Sequence, residues 1–208
     1  MHIYAFGSIC RGEVVRGSDV DLLAAVDASD GRFDPIVYSV YTYGRLKSLW
    51  VEGNPFAWHL FIESRLLFAD DGMDFLRALG EPTQYARGIA DCEKFHRLFQ
   101  TASTVLAVRG DTVVFELSTI FLAMRNAATC FSLQTSKSPV FSRRASANVG
   151  PDSLVLDARS YDVLENARIL CTRGYGDRPS EDDVAHVVAR LDDIEEWMQS
   201  LVAKVRVE

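Results

Sequence analysis

"FGSICRGEVVRGSDVDLLAAVD", residues 6–27, sets the reading of the amino end. The apolar stretch "HIYAF", residues 2–6, suits a short buried strand and stops at Gly7-Ser8. Glycine lets a backbone approach a phosphate closely, and Ser8 adds a hydroxyl beside the exposed amides of a turn. Ten residues further on, Asp19 and Asp21 stand at the head of "DVDLLAAVD", the pattern of a second strand. Because strand side chains alternate, both carboxylates fall on one face about 7 Å apart, close enough for their oxygens to converge on a divalent cation. Val20 and Leu22 take the other face. One surface can then hold a polyphosphate and a metal ion together. The segment between, "ICRGEVVRGS", has room for a turn and little else.

Outward from this stretch, "PIVYSVYTY" is rich in β-branched and aromatic residues and reads as a third strand. A helix follows through "GRLKSLW" to the turn signal "EGNP". "FAWHLFIESRLLFADDG" reads as a helix running into a short buried segment, and "MDFLRALG" as a helical turn closed by Gly80. From Ala90 the period becomes helical throughout. "ADCEKFHRLFQTASTVLAVRG" and "DTVVFELSTIFLAMRNAATCFSL" are two helices, with Gly110 as the stop and Asp111 as the next N-cap. "QTSKSPVFSRRASANVGPDS" is a long loop, "SYDVLENARILCTRG" a helix ended by Gly174, and "PSEDDVAHVVARLDDIEEWMQSLVAKV" one long helix capped by Ser180. The expected fold class is α/β (α+β): a domain with a small mixed sheet at residues 1–85, then an all-α helical bundle at residues 86–208.

Composition bounds the function. The 208 residues carry 48% hydrophobic and 25% charged side chains, an ordinary globular balance. A net charge of -7 weighs against nucleic acid as a partner, since gripping its backbone needs clustered Lys and Arg. Cys10, Cys92, Cys130 and Cys171 lack the spacing of a zinc site or a disulfide framework. No secretory leader pattern opens the sequence, and the most apolar helix is interrupted by Glu116 and Arg125. The expectation is a soluble, cytoplasmic protein with reduced thiols and no membrane span.

The order strand, G-S, Arg11-Gly12, Ser18, D-x-D, apolar strand resembles the minimal nucleotidyltransferases of the DNA polymerase β superfamily, including kanamycin nucleotidyltransferase and the partners of HEPN toxins. The likeness covers roughly residues 1–80. It implies transfer of a nucleoside monophosphate, most often AMP, from ATP or another NTP to a hydroxyl acceptor, with release of pyrophosphate. Asp19 and Asp21 would be the catalytic, metal-binding pair for Mg2+ or Mn2+. Gly7, Ser8, Arg11 and Ser18 would hold the nucleotide. The acceptor is a small molecule or a protein.

The same resemblance implies a third carboxylate on the next strand, and there the pattern departs. Alignment of "YSVYTYGRLKSL" puts Ser39 in that position, and a serine is no base at neutral pH without activation. Asp34 and Glu63 are the nearest substitutes. Asp34 reads as a turn residue before Pro35, Glu63 as a solvated or helix-pairing carboxylate, and His59 as a packed ring able to pair with Glu63 at i, i+4. The alternative is a nucleotide-binding or antitoxin-like module with weakened chemistry, paired with a toxin. In the helical half, "RNAATCFS" lacks the histidine of a HEPN ribonuclease. Arg125 needs a partner, either an acid such as Glu116 or Glu165 or the nucleotide cleft, and Arg143-Arg144 reads as a solvated pair or as a contact for an acidic or phosphorylated partner.

Overall fold

The computed structural model describes residues 1–13, 20–28, 31–108 and 111–207. Its architecture is mixed α/β, a four-stranded mixed sheet with helices and then a run of helices. The chain divides into two compact units. The first comprises Met1–Ala86 with Phe141–Arg143, the second Arg87–Val140 with Arg144–Glu208.

In the first unit, β1 (His2–Phe6), β2 (Asp21–Val26), β3 (Tyr38–Thr42) and β4 (Arg65–Ala69) form a sheet in the order β3-β2-β1-β4. β1 runs antiparallel to both β2 and β4, whereas β2 and β3 are parallel. Alternation sorts the faces. Tyr4, Phe6, Leu23 and Ala25 point into one core with Leu46, Leu49, Trp50, Ala57, Leu60 and Leu76. Full burial of each of these leucines contributes roughly 2 kcal/mol. Ala24, Val26 and Phe33 form a smaller cluster with Ile3, Tyr38 and Val40.

The helices that close the larger core start where local chemistry dictates. In α2 (Tyr43–Val51) the Thr42 side chain accepts from the Arg45 amide, and in α3 (Pro55–Glu63) Asn54 caps the Phe56 amide with Pro55 in the first turn. The one-turn α1 (Ser8–Arg11) and α4 (Phe75–Ala78) complete the unit.

The second unit is helical: α5 (Gly88–Ala107), α6 (Val113–Thr135), α7 (Ala158–Arg173), α8 (Glu181–Val188) and α9 (Leu191–Val205). α6 packs on α5, α7 and α9, burying Leu117, Ile120 and Met124. Among the described residues α6 alone has the length and apolarity of a membrane span, and most of that length is buried within the unit.

Several elements differ from the sequence-based expectation. "RLLFA" is the edge strand β4, and most of its residues are partly or well exposed rather than buried. The final helix is two, α8 and α9, broken at Ala189-Arg190. Ser180 does cap α8, through a capping box with Asp183. α6 starts after Thr112, not Asp111, and Gly110 lies outside the described residues. The long loop is partly ordered into 3-10 turns at Ala145–Ala147 and Gly150–Asp152. Ser146 Oγ lies 2.6 Å from the Tyr161 hydroxyl, and Arg144, still partly exposed, is ion-paired as well as solvated. Its guanidinium bonds Asp162 at 2.6 Å and Glu165 at 2.8 Å and lies over the Tyr161 ring.

Candidate active site

The site forms where β1 ends against the start of β2. Antiparallel register places Phe6 opposite Asp21, so the residue after Phe6 turns directly beside the carboxylate. That residue is Gly7, with φ 74 and ψ -142. A side chain is almost never tolerated in this part of backbone space. Space forbids one as well: a Cβ on Gly7 would stand 2.6 Å from Asp21 Oδ2. Gly7 thus leaves the Asp21 carboxylate lying against bare backbone.

The chain then makes one helical turn. The Cys10 amide donates to the Gly7 carbonyl at 3.0 Å and the Glu13 amide to the Ser8 carbonyl at 3.0 Å, with Gly12 ending the turn in the left-handed conformation. The "room for a turn" expected between the strands is in part this helix, α1. Ser8 is partly exposed at its start. Cys10 Sγ donates to the Ala5 carbonyl, and burial raises its thiol pKa despite the cations Arg65 and Arg11 nearby. Cys10 anchors α1 to β1.

Arg11, the last residue of α1, is held by acids. Its Nε donates to Glu13 at 2.9 Å and its Nη1 donates to Glu63. Glu63 is buried at the end of α3, with 8% of its surface exposed, and of the two expected readings, solvated or helix-pairing, the structure shows the helix-pairing one. It also bonds His59 Nε2 at 2.9 Å, one turn earlier in α3. The His59 ring stacks on Phe141 at 4.8 Å and receives Phe6 edge-on at 5.6 Å.

Leu23 pairs with Ser39, so Ser39 shares the face of Leu23 and, two residues back, of Asp21. β3 reads Tyr-Ser-Val-Tyr-Thr and carries no acid. Asp34 shapes a turn: its side chain accepts from the Ile36 amide at 2.9 Å and its carbonyl from the Tyr38 amide at 2.8 Å. Of the sequence-derived site residues, the structure brings Gly7 and Asp21 into contact and places Ser8 and Arg11 on the adjoining turn. Ser18 and Asp19 lie outside the described residues. Among the described residues no group of three or more His, Cys, Asp or Glu is arranged to hold a metal.

The Arg11–Glu63 pair and the Phe141 cover on His59 had no local sequence signal, since they join segments far apart in the chain. Only the i, i+4 spacing of His59 and Glu63 was readable beforehand. No protein-family model matches this chain, and no match is found among curated proteins.

Proposed function

We propose that the protein is a nucleotidyltransferase that moves a nucleoside monophosphate, AMP in the first instance, from a nucleoside triphosphate to a hydroxyl of a small molecule or a protein. The observation that carries this reading is the Gly7–Asp21 contact. A glycine held in a backbone region closed to other residues lets a strand-end carboxylate lie against the main chain, and a carboxylate at such a corner is a donor suited to a divalent cation. The motif order G-S, D-x-D and its likeness to the minimal nucleotidyltransferases of the polymerase β superfamily support the same reading.

Asp21 would hold Mg2+ or Mn2+ together with Asp19, two residues before it in the sequence. The Asp21 carboxylate at the strand end is the oxygen donor that fits such a cation. The cation would neutralise charge on the phosphates of the bound nucleotide. The protein's own groups orient. Gly7 would let the chain come close to the polyphosphate, Ser8 would offer a hydroxyl, and Arg11, already paired with Glu13 and Glu63, would offer its remaining N–H donors.

A second reading, a nucleotide-binding partner module without transfer activity, draws on Ser39 standing where an acid is expected and on Glu63 already engaged by Arg11 and His59. Titration with Mg-ATP, followed by measurement of pyrophosphate release, separates the two. The transferase reading expects binding that Asp21→Asn abolishes and pyrophosphate release by the wild type alone. Binding without release favours the module, and no metal-dependent binding defeats both.

A further inference from the structure

Beside the Gly7–Asp21 corner lies a side-chain cluster whose Glu63 and His59 have no part in nucleotide capture. Glu63, buried, bridges Arg11 from α1 and His59 from its own helix. The imidazole is fixed at its edge and in its plane. Glu63 bonds Nε2 at 2.9 Å, while Phe141, stacked at 4.8 Å with planes 11° apart, and Phe6, edge-on at 5.6 Å, set the ring orientation. A carboxylate that faces a guanidinium accepts hydrogen bonds, so the neutral ring donates from Nε2 and keeps its lone pair on Nδ1. Among the described residues no hydrogen bond engages that Nδ1 atom. Phe6 sits in register opposite Asp21, and directly opposed residues of an antiparallel pair share a face. The imidazole is therefore one side-chain layer from Asp21, on the face of the sheet where β3 offers Ser39 and no acid.

We propose that His59, oriented by Glu63, accepts the proton of the acceptor hydroxyl during nucleotidyl transfer, an assignment that rests on the transferase reading above. The acceptor O–H bond breaks and its proton passes to Nδ1. The oxygen's electron pair forms the new bond to the α-phosphorus, while the bond from that phosphorus to the bridging oxygen breaks and its pair leaves with pyrophosphate. The imidazolium returns the proton to water. Glu63 and Arg11 are positioning residues. Glu63 fixes the tautomer, and Arg11 with Glu13 keeps Glu63 from turning away. The charged groups facing the imidazole through this cluster are Glu63, Arg11 and Glu13.

The test measures pyrophosphate release from Mg-ATP, with water, glycerol, kanamycin and N-acetyltyrosinamide as acceptors, across a pH series. His59→Ala is expected to bind Mg-ATP like the wild type and to release pyrophosphate roughly 10² to 10⁴ times more slowly, with free imidazole restoring much of the rate. The wild-type rate should climb along a single-proton limb that His59→Gln lacks, and this second variant decides if His59→Ala does not fold. A folded His59 variant at wild-type rate, or one slowed without rescue by imidazole, overturns the assignment. Wild type that binds Mg-ATP but releases no pyrophosphate with these acceptors also overturns it while leaving nucleotide binding intact. Absence of Mg-ATP binding instead removes the transferase reading beneath it.

Discussion

Replacement of Gly7 by alanine tests the corner on which the functional reading depends. Two costs arise separately. The backbone at φ 74 and ψ -142 is essentially closed to side-chain-bearing residues, a penalty of about 1–3 kcal/mol. The added methyl would also stand 2.6 Å from Asp21 Oδ2, forcing the short aspartate side chain off its rotamer or parting β1 from β2. An off-rotamer side chain adds about 0.5–1.5 kcal/mol, so the sum is roughly 1.5–4.5 kcal/mol. Gly12→Ala is the comparison. Gly12 is left-handed, at φ 75 and ψ 13, with nothing within 4 Å of the position its new methyl would take, and its cost stops at about 1–2 kcal/mol. Urea denaturation followed by tryptophan fluorescence, with Trp50 and Trp58 reporting on the first unit in a Trp197→Phe background, measures both. Mg-ATP titration of the same proteins should show weakened binding for Gly7→Ala. If Gly7→Ala costs no more than Gly12→Ala, the carboxylate is not pressed against the Gly7 backbone and the corner is no cradle.

Other outcomes follow from the packing and the electrostatics. Leu60→Ala, at a fully buried position in the core under the sheet, should destabilise the protein by about 2–5 kcal/mol in the same denaturation assay. The Ser180 side chain and then Arg159 hold the Asp183 carboxyl down to about 2 from an ordinary 3.8, so its contribution is complete above 3.8 and disappears as pH falls toward 2. Circular dichroism across that window should show acid loss of helix, and Ser180→Ala, which removes the capping box, should cost about 1 kcal/mol at neutral pH and shrink the acid-dependent part. Burial pushes the Cys92 thiol up to about 12, whereas Cys171 is exposed. Alkylation of the native protein at pH 8, read by peptide mass spectrometry, should mark Cys171 first and leave Cys92 unmodified until unfolding.

Much of the fold was legible because its signals are local. The apolar run in "DLLAAV", the turn signal "EGNP", the cap Ser180 and the long apolar period of α6 are each set by a few neighbouring residues. β4 was not legible, because an edge strand with Leu67 and Phe68 exposed lacks the in-out pattern and is defined by pairing with β1 across more than sixty residues. The break between α8 and α9 falls at Ala189-Arg190, where neither glycine nor proline announces it. At the site, Gly7 and Asp21 could be singled out since the backbone itself requires a glycine there. Glu63 could not be assigned a partner, because its pairing with Arg11 depends on α3 and α1 meeting in three dimensions. Arg144 gave no warning for the same reason, its acids lying a helix away on α7.

Phe141–Arg143 belongs to the first unit although more than fifty residues of the second precede it. The two units are therefore interleaved in the gene rather than placed end to end. A product truncated after Ala86 would strip the stacked cover from the His59 ring, and recombination could not transplant the sheet-bearing unit as one uninterrupted cassette. Inheritance of this cluster is tied to inheritance of the helices that carry its missing aromatic lid.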